Sequence, residues 1–280
     1  MNYLIDGKRI AEAVLQNTTQ RVLTLKSRGI TPTLAVILVG NDLPSQTYVK
    51  RKKLAAEKAG IAFHLEHLPD TTDQRLIIRA IEELQANKKL SGLIVQLPLP
   101  EPLYTAEVLN AIDPRVDVDC LTNTNLGKLI MDNAPWAPPT PAAVLEILHD
   151  MHIDPKGKNI TIVGVGALVG KPLSIILMNQ RASVTTVNSI TSDITEKCLR
   201  ADIIVSGVGK AHIILGSMVK PGAIVIDTGV SFVDGVMSGD AAVDEIVDHA
   251  YVTPTPGGVG PITVAKLLDN TVTAAEQRLH

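Results

Sequence analysis

The chain has 280 residues, with 26 Lys plus Arg against 29 Asp plus Glu for a formal charge of −3, and an apolar fraction of 45 %. That length suits one large or two ordinary domains with full cores, while mild acidity and only 2 % aromatic residues argue against nucleic acid as a partner, because neither a basic surface nor a base-stacking platform can be built. No stretch has the length and apolarity of a membrane span and the N-terminus lacks the apolar core of a signal peptide, so no membrane association is expected and the cytoplasm is the expected location. Cys120 and Cys198 are far apart and outside any metal-binding spacing, which predicts two buried thiols, with neither a disulfide nor a metal site.

In chain order, apolar residues at Ile10, Val14, Val22 and Leu25 predict an amphipathic helix with Gly29 as its C-terminal cap. The continuous apolar run Thr33–Val39 predicts a strand covered on both faces. Ser45–Ala59 reads as a helix closed by Gly60, and Ile61–Leu68 as a strand with one less buried face. Thr71-Thr-Asp-Gln74 reads as a capping box for a helix carrying Ile77, Ile81 and Leu84, and Gly92–Gln96 as the next strand. Strands alternating with helices predict parallel βαβ units.

The segment Gln96–Pro102 is rich in proline and should be stiff and extended. A short helix over 106–112 precedes Asp117-Val-Asp119, and a second stiff segment, Pro135–Pro141, is the expected domain boundary. Beyond it a helix over 142–151 leads into Asn159-Ile-Thr-Ile-Val-Gly-Val-Gly-Ala-Leu-Val-Gly-Lys-Pro172, which reads as strand, tight turn and helix. Strands Ser183–Val187, Asp202–Val205 and Ala223–Ile226 complete a second α/β unit. The loop Gly257–Pro261 then leads to a terminal helix starting at Thr263.

Four stretches are candidates for chemistry. In the glycine turn, Gly164, Gly166 and Gly170 give the spacing Gly-x-Gly-x-x-x-Gly, a looser form of the dinucleotide fingerprint; the alternative is an ordinary strand-to-helix turn. Tyr48 and Lys52 are four apart on one helix face, so a phenol could hydrogen-bond and position an amine whose pKa burial lowers; the alternative is a solvated basic run from Lys50 to Lys53. Gln96 ends a strand where ligands dock, or else satisfies a loop, and Asp119 could hold an amino-heterocycle, or else cap a loop. Pro254–Pro261 alternates stiff and bare backbone, as approach to a flat ligand requires, with a structural linker as the alternative.

Together these residues resemble the methylenetetrahydrofolate dehydrogenase/methenyltetrahydrofolate cyclohydrolase family. The motifs that carry the resemblance are Val36–Gly40, Ser45–Val49 with Lys52, Gly92–Pro100, Asp117–Asp119, Thr140-Pro141, Val169–Pro172 and Pro256–Pro261, and they cover nearly the whole chain. The resemblance implies an α/β fold of two domains around a cleft: residues 1–138 as a folate-binding catalytic domain, 139–263 as a Rossmann-like NAD(P)-binding domain, and a C-terminal helix, 264–280, packing back on the first. It implies a homodimer joined through the cofactor domains.

It further implies that Lys52 is the proton-transfer residue, Tyr48 orders the folate ring, Gln96 hydrogen-bonds and tunes Lys52, and Asp119 holds the pterin edge. Leu97, Pro98, Pro256, Gly257, Gly258 and Pro261 would contact the folate, and Gly164, Val165, Gly166, Gly170, Thr140 and Ser189 the dinucleotide. The expected activity is oxidation of 5,10-methylenetetrahydrofolate to the methenyl form, then hydrolysis to 10-formyltetrahydrofolate. Departures cluster at the cofactor. Val165-Gly166 stands where the family usually has Arg-Ser, and Asn188-Ser189 where it has His-Ser, so a phosphate-binding arginine is missing. Family habit points to NADP, with NAD the alternative. A chain with cyclohydrolase activity alone, a non-catalytic folate or nucleotide sensor, and an unrelated dehydrogenase are the competing readings.

Overall fold

The computed structural model describes residues 3–101, 103 and 106–278. Pro102 of the proline-rich segment and the last two residues of the expected C-terminal helix, Leu279 and His280, lie outside them. The described elements run α1 (Gly7–Ser27), β1 (Thr33–Val39), α2 (Leu43–Ala59), β2 (Ala62–Leu68), α3 (Gln74–Gln85), β3 (Gly92–Val95), α4 (Ala106–Asn110) and α5 (Asn123–Ile130). They continue α6 (Pro139–Asp150), β4 (Asn159–Val163), α7 (Gly170–Asn179), β5 (Ser183–Val187), α8 (Ile194–Arg200), β6 (Ile203–Ser206), β7 (Ile224–Asp227), β8 (Ser231–Val233), β9 (Val236–Ser238), α9 (Val243–Ile246), β10 (Tyr251–Val252) and α10 (Val259–Gln277).

Two compact units result. The first holds Glu12–Pro139 and the described residues from Val264 onward; the second holds the described residues up to Ala11 together with Thr140–Thr263. The N-terminal residues differ from expectation for a backbone reason. Ile5 N donates to Val252 O at 2.9 Å and Val252 N to Tyr3 O at 3.0 Å, so the chain start adds to the exposed edge of β10 in the second unit. An unpaired strand edge is satisfied in this way.

In the first unit the strands are parallel in the order β2-β1-β3. β1 is central, and from Leu34 to Val39 all its residues are buried, so it needs apolar side chains on both faces. Each such Leu, Ile or Val contributes about 2 kcal/mol by leaving water. Val36 and Leu38 pack on one side with Val49, Ala56, Leu268 and Val272, and Ala35, Ile37 and Val39 on the other with Ile77, Ile81 and Val108. Gly60, left-handed at φ 79°, ends α2 by donating to Ala56 O and Glu57 O.

Three local readings are corrected. The cap of α3 is Asp73, whose carboxylate accepts from Leu76 N at 2.9 Å, so the chain turns two residues later than a cap at Thr71 would require. α5 was not anticipated; Thr122 caps it by accepting from Asn125 N. α10 begins at Val259, earlier than Thr263, because proline is tolerated in a first turn, where its missing N–H has no carbonyl to meet.

The second unit has a five-stranded parallel sheet in the order β10-β7-β6-β4-β5, with helices in the connections, and a small antiparallel hairpin β8-β9. This is a Rossmann-like arrangement. The hairpin was not foreseen. No helix among the described residues is long and apolar enough to cross a membrane.

Candidate active site and dinucleotide turn

In the first sheet the second and third strands lie on opposite sides of β1, which puts the switch point, where ligands of such sheets dock, at the carboxyl ends of β1 and β3. Gln96 follows β3 and stays in the ladder, its N–H donating to Ile37 O at 2.8 Å. Its Nε2 donates to Leu97 O at 2.7 Å, which turns Oε1 toward α2. Oε1 accepts from Lys52 Nζ at 2.9 Å.

α2 delivers the lysine because Val49, Lys52 and Ala56 share one helix face, Val49 and Ala56 being buried. Lys52 is half-buried, and desolvation pushes its amine below the ordinary lysine range, opposed by attraction to Asp119. Asp119 moves the other way. Burial raises it to about 6, the attraction of Lys52 holds it down in part, and Asp117 adds repulsion. Burial thus moves the amine down and the carboxyl up, so each is nearer to giving or taking a proton than its free counterpart.

The partner of Lys52 is the one that the resemblance implies, Gln96, and not the phenol of Tyr48 that helix spacing alone suggests. The Arg51 guanidinium lies 6.0 Å from the centre of the Tyr48 ring. Residues four apart share a face, but Lys52 bends toward the sheet edge while Tyr48 sits one turn nearer the helix start.

The two residues before Asp119 are held by groups that its spacing does not reveal. The buried Asp117 carboxylate accepts from Leu121 N, Thr122 N and Asn125 Nδ2 at 3.1, 2.9 and 3.0 Å. Trp136 Nε1 donates to Asp117 O at 2.8 Å, and Asn270 Nδ2 to Val118 O at 2.9 Å. The following Cys120 adopts φ 57°, a left-handed conformation uncommon for a residue with a side chain. The only hint in the sequence was the Asp-Val-Asp spacing itself. Leu97 and Pro98, joined by a cis peptide bond, continue from Gln96, with Pro98 exposed.

In the second sheet β5 and β6 flank β4, which puts the switch point between the carboxyl ends of β4 and β6. The glycine turn leaves β4 there. Gly164 has φ 96°, and a Cβ on it would meet Gly207 O at 2.8 Å; a Cβ on Gly170 would meet Gly164 O at 2.0 Å. Nothing lies within 4 Å of where a Gly166 Cβ would stand. The turn therefore combines tight backbone packing with open space before a helix start, which fits a dinucleotide pyrophosphate.

Val165 is half-buried in this turn, and Ser189 is exposed just past β5, where Asn188 Oδ1 accepts from Ile190 N at 3.1 Å. Thr140 lies in the first turn of α6, its hydroxyl accepting from Thr263 at 3.4 Å. Pro256, after a cis bond, is exposed; Gly257 has φ 103°, Gly258 is buried, and Pro261 falls inside the first turn of α10. All four belong to the second unit, whereas Leu97 and Pro98 belong to the first. Among the described residues no group of three His, Cys, Asp or Glu is arranged to hold a metal ion.

A parallel α/β unit carrying a lysine with a lowered pKa, and a second unit with a Rossmann-like sheet and glycine turn, define a two-domain, dinucleotide-dependent enzyme. Residues 5–119 match the tetrahydrofolate dehydrogenase/cyclohydrolase catalytic domain and residues 138–279 the NAD(P)-binding domain of the same family. The chain belongs to the tetrahydrofolate dehydrogenase/cyclohydrolase family. Its activity is that of a bifunctional, NAD(P)-dependent methylenetetrahydrofolate dehydrogenase/cyclohydrolase of the FolD type.

A bifunctional protein FolD from Nautilia profundicola is 42 % identical over 98 % of this chain and 97 % of its own. The crystal structure of the bifunctional enzyme FolD from Campylobacter jejuni superposes with a TM-score of 0.95 at 36 % identity, covering 98 % of this chain and 99 % of that one. The Trypanosoma brucei enzyme, complexed with NADP cofactor and inhibitor, gives a TM-score of 0.95 at 35 % identity, covering 99 % and 98 %.

Proposed function

We propose that Lys52 carries the proton transfers of the hydrolytic half-reaction, and that Gln96 and Asp119 set its protonation. The observation behind this is the 2.9 Å hydrogen bond from Lys52 Nζ to Gln96 Oε1 on an amine that burial keeps below its ordinary pKa. In the neutral form Lys52 accepts a proton from water as the water oxygen bonds to the methenyl carbon. It returns that proton to the ring nitrogen as the carbon–nitrogen bond breaks. The second water proton leaves to solvent, the formyl group stays on the other nitrogen, and the cationic substrate becomes neutral at that centre.

Asp119, with a pKa near 6, faces the pterin edge as an acceptor above that pH. Tyr48 stacks on the folate ring, and Leu97 and Pro98 give it a flat, uncharged wall; Pro256, Gly257, Gly258 and Pro261 are folate contacts that the resemblance implies. In the oxidative half-reaction the nicotinamide cofactor supplies the hydride acceptor. The chain's own part there is alignment: Gly164, Gly166 and Gly170 receive the pyrophosphate, with Val165, Thr140 and Ser189 beside it, and no strong base is needed because a nitrogen lone pair on the substrate drives hydride departure.

NADP is the cofactor we assign, following the resemblance. The margin over NAD is small, because Val165, Asn188 and Ser189 bring no positive charge to a 2′-phosphate. Residues 1–138 and 139–263 are assigned as folate and cofactor domains, apart from the N-terminal pairing described above, and 264–280 to the folate domain. The resemblance also points to a cytoplasmic homodimer joined through the cofactor units, which light scattering on purified protein tests.

The deciding experiment replaces Lys52 with Met and follows reduced cofactor and methenyl absorbance in one cuvette. Hydrolysis should fall by roughly 10²-fold or more, the range of general acid–base catalysis, while oxidation falls much less. Equal loss of both activities would remove the assignment.

A further inference from the structure

Asp240 is fully buried and lies on no strand or helix of the sheet core, yet it gathers hydrogen bonds from one short stretch. Its Oδ2 accepts from Ser206 Oγ at 2.6 Å and Val208 N at 2.7 Å; its Oδ1 accepts from Gly209 N and Lys210 N, both at 2.9 Å. All four donors belong to the chain leaving β6. One carboxylate therefore fixes the path of residues 206–210, using N–H groups that have no strand partner there.

That stretch is one wall of the switch point between β4 and β6. Gly207 N still donates to Val163 O at 2.9 Å, and Gly207 O stands against Gly164, the first glycine of the dinucleotide turn, where a Cβ would come within 2.8 Å. Val208, next in line, is 48 % exposed, so the loop presents a surface as well as a buried anchor. β7 braces the other side. Thr228 Oγ1 and Thr228 N both donate to Ser206 O at 2.7 Å, and Asp227 accepts from Gly229 N at 2.8 Å and from Ala241 N at 2.9 Å, holding the residue after Asp240.

We propose that Asp240 is a positioning residue for dinucleotide binding, holding the β6 exit loop so that the wall facing Gly164 keeps one shape. It acts through main chain and does not itself touch the cofactor. The proposal rests on the dinucleotide reading of the second unit. Asp240→Asn keeps the volume but turns an N–H donor toward other donors, so two of the four hydrogen bonds lose their acceptor.

The test is isothermal titration of the purified full chain with NAD and with NADP, beside dehydrogenase kinetics and amide exchange. For D240N the Kd and KM of the better cofactor should rise about tenfold, with kcat at saturating cofactor within about threefold, and amide exchange should quicken at 206–210. Cofactor Kd and KM within twofold of the parent, or a fall in kcat with KM unmoved, overturns the proposal. If D240N does not melt cooperatively, Ser206→Ala decides instead: removing one donor should raise Kd about threefold, and an unchanged Kd overturns the proposal. A parent protein that binds neither NAD nor NADP removes the dinucleotide reading itself, whereas a binding parent with variants of equal affinity removes only the role of Asp240.

Discussion

Lys52 and Gln96 meet across 2.9 Å, joining α2 to the carboxyl end of β3 and holding a half-buried amine against a neutral acceptor. Because Gln96 carries no charge, the shift of Lys52 is left to burial, with Asp119 as the opposing influence. Replacing Gln96 with Glu supplies a second negative charge and favours the ammonium form. The pH–rate profile of cyclohydrolase should then move its lysine limb upward by about one unit, with a lower rate at neutral pH. A limb that stays in place in Q96E would mean another group controls it.

Asp119 ties chemistry to stability. Its folded pKa of about 6 lies above the ordinary carboxylate value of 3.8, so the stability linked to its protonation is complete below about pH 4 and is lost as pH rises through 6. Asp119→Asn removes the cost of ionising it. The variant should melt higher than the parent at pH 8, by about 1–2 kcal/mol once the partial exposure of Asp119 is allowed for, and the two should converge at pH 4. Calorimetric melts at both pH values check this; a constant offset would place the effect elsewhere.

Much of this framework could be read from the chain. The apolar run Thr33–Val39 fixed the central strand because a strand covered on both faces cannot hide its composition, and Gly60 marked a helix end because the left-handed cap favours glycine. α5 escaped because eight residues carry too little periodicity, and the β8-β9 hairpin because three-residue strands carry almost none. Lys52, Gln96 and Asp119 were recognisable as residues, and the resemblance implied the bond between the first two; spacing alone could not, because the bond depends on a helix and a strand end meeting 44 positions apart. Asp117, Asn270 and Asp240 were invisible as functional groups. Each works by accepting from, or donating to, main chain whose direction is set only after folding.

Val165 gives a test of cofactor choice. An arginine there would add a planar donor beside the glycine turn, where the backbone leaves open space at Gly166. Val165→Arg should tighten NADP relative to NAD by about tenfold, the worth of one charge-assisted hydrogen bond of roughly 1.5 kcal/mol. Titration of both cofactors measures the ratio; an unchanged ratio would show that the 2′-position is read elsewhere.

Gly166 separates fold from ligand. A methyl group at this position meets no atom within 4 Å, so Gly166→Ala should leave the melting temperature within about 2 °C of the parent, as for a surface change of under 0.5 kcal/mol. If the pyrophosphate occupies that space, cofactor Kd should nevertheless rise several-fold. Gly170→Ala should fail differently, losing stability as well, since its Cβ would collide with Gly164 O.

The two cysteines have a use apart from catalysis. Cys120 sits in the first unit and Cys198 in the second; both have no exposed surface, and burial pushes their thiols up to about 12 and about 11. Neither will react with an alkylating reagent until its surroundings come apart. Each half of the molecule thus carries one natural tag, and mass-resolved alkylation in rising denaturant would time the unravelling of the halves separately, with no label engineered in.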